Sequence, residues 1–129
     1  MIADDEPKIR QGLKSVLEEM KLPITVCAEA RNGMEALEKI EQFQPDFILM
    51  DICMPKLSGI QFLEELRKLD KNCPVIVISG FNEFSYAKQA IKLGVSEYLL
   101  KPIAEEELQA AVVKVTEEIK QKLSLIHIS

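Results

Sequence analysis

The feature that most narrows what this chain can fold into is an almost unbroken alternation of short apolar runs with longer amphipathic stretches. Such alternation specifies βα units around a parallel sheet. Pro7 suits a first helical position, and Ile9, Leu13, Val16, Leu17 and Met20 follow at helical spacing up to Pro23. Ile24 to Ala28 reads as a strand, and Asn32-Gly33 leads into a helix with Ala36, Leu37, Ile40 and Phe43 on one face. Phe47 to Met50 is a continuous apolar run, as a strand covered on both faces requires, and it stops at Asp51. A loop with Pro55 and Gly59 precedes a helix carrying Leu63, Leu66 and Leu69. Val75 to Ile78 forms the next strand, ending at Ser79-Gly80, and a helix through Phe84, Ala87 and Ile91 stops at Gly94. Glu97 to Leu100 is the last strand. Glu105, Glu106 and Glu107 then open a final helix, where acids favour the positive end of the helix dipole, and Leu108, Ala111, Val112, Val115 and Ile119 continue it.

Both ends depart from the pattern. Only Met1-Ile2-Ala3 precede Asp4-Asp5, so the first strand is expected to be short. The stretch Ser124 to Ser129 places apolar residues consecutively, so one domain is expected over 1–123, with 124–129 a non-native or disordered tail. No repeat, linker or second domain is visible.

With 47% hydrophobic and 29% charged residues the chain is globular rather than disordered. No apolar run approaches the roughly 20 residues that span a bilayer, and the N-terminus carries acids where a signal peptide carries bases. A cytoplasmic domain with no membrane contact is expected. A formal charge of −5 repels a phosphate backbone, so DNA binding is expected only through some other domain. Cys27, Cys53 and Cys73 are odd in number and widely spaced, which fits neither a disulfide framework nor a structural zinc site. The sole histidine, His127, is third from the C-terminus, which excludes imidazole-based triads.

In doubly wound parallel sheets ligands bind beyond the carboxyl ends of the strands. Those ends carry Asp4-Asp5, Asp51, Ser79 and Lys101: three carboxylates, a hydroxyl and an ammonium on one rim. Carboxylates without thiolate or imidazole suit a hard cation, and Mg²⁺ takes one or two of them while leaving room for phosphate oxygens. The set implies a phosphoryl site in which one carboxylate attacks phosphorus while cation, hydroxyl and ammonium hold the other oxygens. Taken singly, Asp4 and Asp5 read equally well as a helix cap before Pro7, Ser79 as a turn residue, Lys101 as a solvated lysine and Tyr98 as a sheet-surface residue.

The strings Ala3-Asp4-Asp5-Glu6-Pro7, Met50-Asp51-Ile52-Cys53-Met54-Pro55 with Gly59, Ser79-Gly80 and Tyr98-Leu99-Leu100-Lys101-Pro102 resemble the receiver domain of two-component response regulators. The likeness covers residues 1 to about 120. Ser79 to Ala87 and Gly94 to Pro102 are most similar to receivers fused to AraC-type (YesN-like) DNA-binding domains. The resemblance implies a flavodoxin-like α/β fold, with a five-stranded parallel sheet in the order 2-1-3-4-5 and its first strand shortened here. It implies Asp51 as phosphoacceptor from a histidine kinase, and Mg²⁺ held by Asp5 directly, Asp4 mainly through water, Asp51 and the Cys53 carbonyl. Ser79 and Lys101 would bind phosphoryl oxygens, Ser79 and Tyr98 would act as the switch, and Lys101-Pro102 would be cis. It further implies a homodimer through the fourth helix, fifth strand and fifth helix, and a signalling switch rather than an enzyme. The thiol of Cys53 stands two residues past the nucleophile, where it would alter phosphoryl lifetime. Two other readings stay open at this point. A haloacid dehalogenase-type phosphatase also uses an aspartate nucleophile, but it places a second aspartate where this chain has Cys53. The third is a docking module on the same fold that needs no phosphorylation.

Overall fold

The structure, a computed structural model, describes residues 1–69, 72–80 and 84–128, and the side chains of all of these except 84 and 123–128. The motif residues Phe81, Asn82 and Glu83 therefore lie outside the described residues. The elements alternate as β1 (Ile2–Ala3), α1 (Pro7–Glu19), β2 (Glu29–Ala30), α2 (Gly33–Phe43), β3 (Ile48–Asp51), α3 (Gly59–Lys68), β4 (Val75–Ser79), α4 (Phe84–Lys92), β5 (Glu97–Leu100) and α5 (Glu105–Ile128). The five strands form one parallel sheet in the order β2-β1-β3-β4-β5. That is the expected doubly wound fold, and its first strand is two residues long.

Strand periodicity divides the core into two layers. Ile48, Met50, Val75 and Val77 face α2, α3 and α4 through Ala36, Ile40, Phe62, Leu63, Leu66 and Ala90. Leu49, Ile76 and Ile78 point the other way, onto Leu13 and Leu17 of α1 and Leu108, Ala111, Val112 and Val115 of α5. Successive side chains of a strand leave on opposite faces, which is why the unbroken apolar runs are needed. On the edge strand β5 the pattern relaxes, and Leu100 is exposed. Arg67, near the end of α3, donates to the carbonyls of Leu93 (2.7 Å), Gly94 (3.1 Å) and Cys73 (3.2 Å). One guanidinium thus joins the C-terminal ends of α3 and α4 to the approach to β4.

Several expectations need correction. Ile24–Ala28 is not the second strand. Pairing begins where β1 offers backbone, with Ile2 opposite Glu29 and Ala3 opposite Ala30, and residues 24–27 run past Met1 where no neighbouring strand lies. Phe43 and Leu69 are exposed at the C-terminal ends of α2 and α3, and Ile91 is exposed because it lies on the outer side of α4, while Ala90 and Leu93 pack on the core. α5 itself runs as helix to Ile128. Consecutive apolar residues disturb amphipathicity but not helix propensity, in which leucine ranks high.

Candidate acidic site at the strand ends

The parallel register brings four strand ends to one edge. Asp4 follows β1 directly, Asp51 and Ser79 are the last residues of β3 and β4, and Lys101 follows β5. Ladder hydrogen bonds fix their heights: Asp4 N–H donates to Ala30 O (3.0 Å), Ile52 N–H to Ile78 O (2.9 Å) and Lys101 N–H to Ser79 O (2.7 Å).

Carboxylate oxygens of Asp4, Asp5 and Asp51 all lie within 4.8 Å of one another. Asp4 and Asp51 are buried, and Asp5 is exposed. Asp51 accepts from Cys53 N–H at 3.1 Å through Oδ1 and from Lys101 Nζ at 3.1 Å through Oδ2. Burial pushes the Asp51 carboxyl above the usual carboxylate range, against the pull of the Cys53 amide and the Lys101 ammonium. Asp4 is pushed up to about 6, first by burial and then by the Asp51 and Asp5 charges, against the Glu6 amide and Lys101. Burial alone would lower Lys101, but its hydrogen bond to Asp51 and the carboxylates around it raise it.

Asp4 does not cap α1, whose N-cap is Glu6 without a side-chain cap bond; its Oδ1 instead accepts from Glu6 N–H at 2.8 Å in the turn before the helix. Its Oδ2, however, is buried with no hydrogen-bond partner among the described residues, and Lys101 Nζ stands 4.0 Å from it. With three carboxylates ionised against one ammonium, the cluster has two negative charges in excess. An orphaned buried carboxylate oxygen in an all-oxygen donor set fits a hard divalent cation such as Mg²⁺.

Ser79 is fully buried at the neighbouring strand end and donates to Gly80 O (3.2 Å). Tyr98 lies on β5 opposite Val77, and its hydroxyl is buried without a hydrogen-bond partner among the described residues. Asp4, Asp5, Asp51 and Lys101 are thus brought into one cluster, with Ser79 at its side and Tyr98 inside the β5 face. Cys53 contributes its amide, and the residue itself is exposed. The Lys101–Pro102 bond is cis, as expected.

Sequence reasoning missed the supports of the loop after Asp51. Gly33 N–H donates to Leu57 O (3.1 Å), and a Cβ on Gly33 would lie 2.2 Å from that oxygen. Gly59 N–H donates to Ile52 O (2.8 Å), with Ile52 Cα only 2.6 Å from where a Cβ would stand. Arg10 was also missed: its Nη1 donates to the Asp4 carbonyl at 2.5 Å. An arginine in the opening turns of a helix opposes the helix dipole, and that is the signal that could have flagged it.

Comparison with known proteins agrees with this arrangement. The family model described as the response regulator receiver domain matches residues 1–113. The chain is 36% identical over 122 residues to the uncharacterized transcriptional regulatory protein YesN of Bacillus subtilis (strain 168), covering 95% of this chain and 33% of that protein. It is 34% identical over 124 residues to the transcriptional regulatory protein HptR of Staphylococcus aureus, covering 96% of this chain and 48% of that one. The chain therefore spans a third to a half of these relatives. Among solved structures, the REC domain of the response regulator AraT from Geobacillus stearothermophilus superposes with a TM-score of 0.88 at 40% identity, covering 95% of each chain. The two component transcriptional regulator AraC from Clostridium phytofermentans gives 0.83 at 30% identity, covering 93% of each.

Proposed function

The chain belongs to the response regulator receiver domain family, and on that premise we propose that Asp51 is its phosphoacceptor, in a Mg²⁺ site made by Asp4, Asp5, Asp51 and the Cys53 carbonyl. The supporting observation is the cluster itself: three carboxylates within 4.8 Å, one buried oxygen among them unpartnered, and Lys101 at 3.1 Å from Asp51.

A histidine kinase is the proposed donor. A carboxylate oxygen of Asp51 forms a bond to phosphorus as the bond from phosphorus to the donor imidazole nitrogen breaks, and the imidazole keeps the electron pair. Asp4, Asp5, Asp51 and the Cys53 carbonyl would hold Mg²⁺, which would supply positive charge to offset that on the transferring oxygens. Lys101 holds one phosphoryl oxygen. The Ser79 hydroxyl exchanges the Gly80 carbonyl for another. Tyr98 follows Ser79 as the second switch residue. A buried phenol without a partner carries a penalty of about 1–3 kcal/mol, which makes its position easy to bias.

The phosphorylated domain, residues 1–123, acts as a cytoplasmic signalling switch whose only chemistry is Mg²⁺-dependent self-phosphorylation and autodephosphorylation. It regulates transcription through an output domain outside these residues, which carries the DNA contact. Exposed Tyr86 and Ile91 on α4, Leu100 on β5 and Val113 on α5 support a homodimer through that face. No helix among the described residues is long and apolar enough to cross a membrane.

The deciding experiment is intact-mass measurement after incubation with acetyl phosphate and Mg²⁺. One added phosphoryl group is expected, absent in Asp51→Asn and in excess chelator. Labelling that persists in Asp51→Asn rejects the assignment, and turnover of a generic phosphomonoester would instead favour the haloacid dehalogenase-type reading.

A further inference from the structure

We propose that Arg10 is the positioning residue of the acidic cluster: its guanidinium grips the Asp4 backbone and the β2 residue Glu29 together, fixing the direction in which the Asp4 and Asp5 carboxylates leave the sheet. The inference rests on the Mg²⁺ site proposed above and adds to it a residue that touches neither metal nor phosphoryl group.

Few backbone hydrogen bonds hold the Asp4 peptide. β1 and β2 are two residues each, and their ladder ends with Asp4 N–H on Ala30 O. Beyond that bond, the Asp4 carbonyl receives Arg10 Nη1 at 2.5 Å. The same guanidinium donates through Nε to Glu29 Oε1 at 3.2 Å, and the Arg10 side chain is only 12% exposed. Glu29 is itself fixed, with Lys14 Nζ on its other carboxylate oxygen at 3.2 Å and Lys39 Nζ on its carbonyl. Arg10 therefore links a rigidly held acid on one strand to the peptide that carries two of the three clustered carboxylates.

A planar fork with several donors serves a carbonyl and a carboxylate at once, which a lysine ammonium on a flexible stem does not reproduce. The residue's position opposes the α1 dipole, so helix stability does not account for it. Groups that orient metal ligands from behind typically change metal affinity 10- to 100-fold when removed.

The test is a Mg²⁺ titration of the whole chain by calorimetry, with acetyl phosphate labelling followed in parallel. Arg10→Ala is expected to weaken Mg²⁺ about tenfold while the labelling rate at saturating Mg²⁺ stays within about twofold of wild type. Arg10→Lys should recover only part of the affinity. Glu29→Gln, which keeps an acceptor for the guanidinium and removes its charge, should fall between Arg10→Ala and wild type, and it serves if Arg10→Ala does not fold. Lys14→Ala takes one of the two cations from the Glu29 carboxylate without touching Asp4 and should weaken Mg²⁺ less than Glu29→Gln does. Wild-type affinity in Arg10→Ala, or equal losses in Arg10→Ala and Lys14→Ala, overturns the assignment to Arg10. Failure of the wild-type chain itself to bind Mg²⁺ rejects the metal site instead.

Discussion

The two halves of the sheet are built to different standards. From β3 to β5 the strands are four or five residues long, each adjacent pair shares four register positions, and every residue of β3 and β4 is buried. From β1 to β2 there are two residues per strand and two positions per pair. Beside this thin half lies a cavity of about 410 Å³, whose walls include Met1, Ile24, Val26, Phe47, Leu49 and Ile119. The terminal ammonium of Met1 sits at its edge, donating to Phe47 O at 3.0 Å, with its pKa lowered by burial. The proposed nucleophile, Asp51, hangs from the thick half, whereas Asp4 and Asp5 hang from the thin one. The proposed nucleophile and two of the proposed cation ligands thus hang from strands of unequal length, and perturbing the two halves should separate their contributions.

The largest effect is expected from Phe62→Ala in the thick half. Phe62 is fully buried against β3 and β4, so its loss should cost about 3–5 kcal/mol by chemical denaturation, enough to threaten folding. A cost below about 1 kcal/mol would show that the thick half is no tighter than the other.

Next comes lengthening β1. Three or four apolar residues placed ahead of Met1 would run into the cavity, where each fully buried aliphatic contributes roughly 1.5–3 kcal/mol before chain entropy is subtracted. A higher melting temperature and a stronger Mg²⁺ response are expected. An extended protein that melts no higher, and binds Mg²⁺ no better, would make the contrast between the halves one of appearance only.

A smaller effect follows from Asp4. Its carboxyl is raised from 3.8 to about 6, so the folded, metal-free protein binds that proton more tightly than the unfolded chain does. The resulting stabilisation is complete below pH 3.8 and is lost as pH rises through about 6. Denaturation midpoints of wild type should fall relative to Asp4→Asn across that window, and Mg²⁺ should close the gap at neutral pH. Parallel profiles for the two proteins would mean that Asp4 is not desolvated as described.

The smallest effect belongs to the cavity wall. Val26 is half-buried and packs against the cluster without filling it, so Val26→Ala should cost less than about 1 kcal/mol. A loss as large as that of Phe62→Ala would erase the distinction.

The same contrast explains what was legible beforehand. β3 and β4 could be read from apolar runs ending in Asp51 and Ser79, because a strand covered on both faces needs apolar residues throughout, and β5 from the shorter run that ends at Lys101. The Asp4, Asp5 and Asp51 cluster followed from chain order alone, since parallel strands present their carboxyl ends on one edge. β2 was misplaced because Ile24 to Cys27 has strand propensity without a ladder partner, whereas pairing starts where Ile2 N–H donates to Ala28 O, and pairing rather than propensity decides where a ladder forms. Arg10 was overlooked among the polar positions of an amphipathic helix, where charged side chains are ordinarily solvated, and only its place against the helix dipole set it apart. Its role depends on Glu29, nineteen residues away.

Arg67 moors α4 by its C-terminal end. It holds the carbonyls of Leu93 and Gly94, just past the last helical residue. Nine helical residues make a span of roughly 14 Å at 1.5 Å per residue. Tyr86, near the other end, therefore stands farther from that mooring than Ile91 beside it.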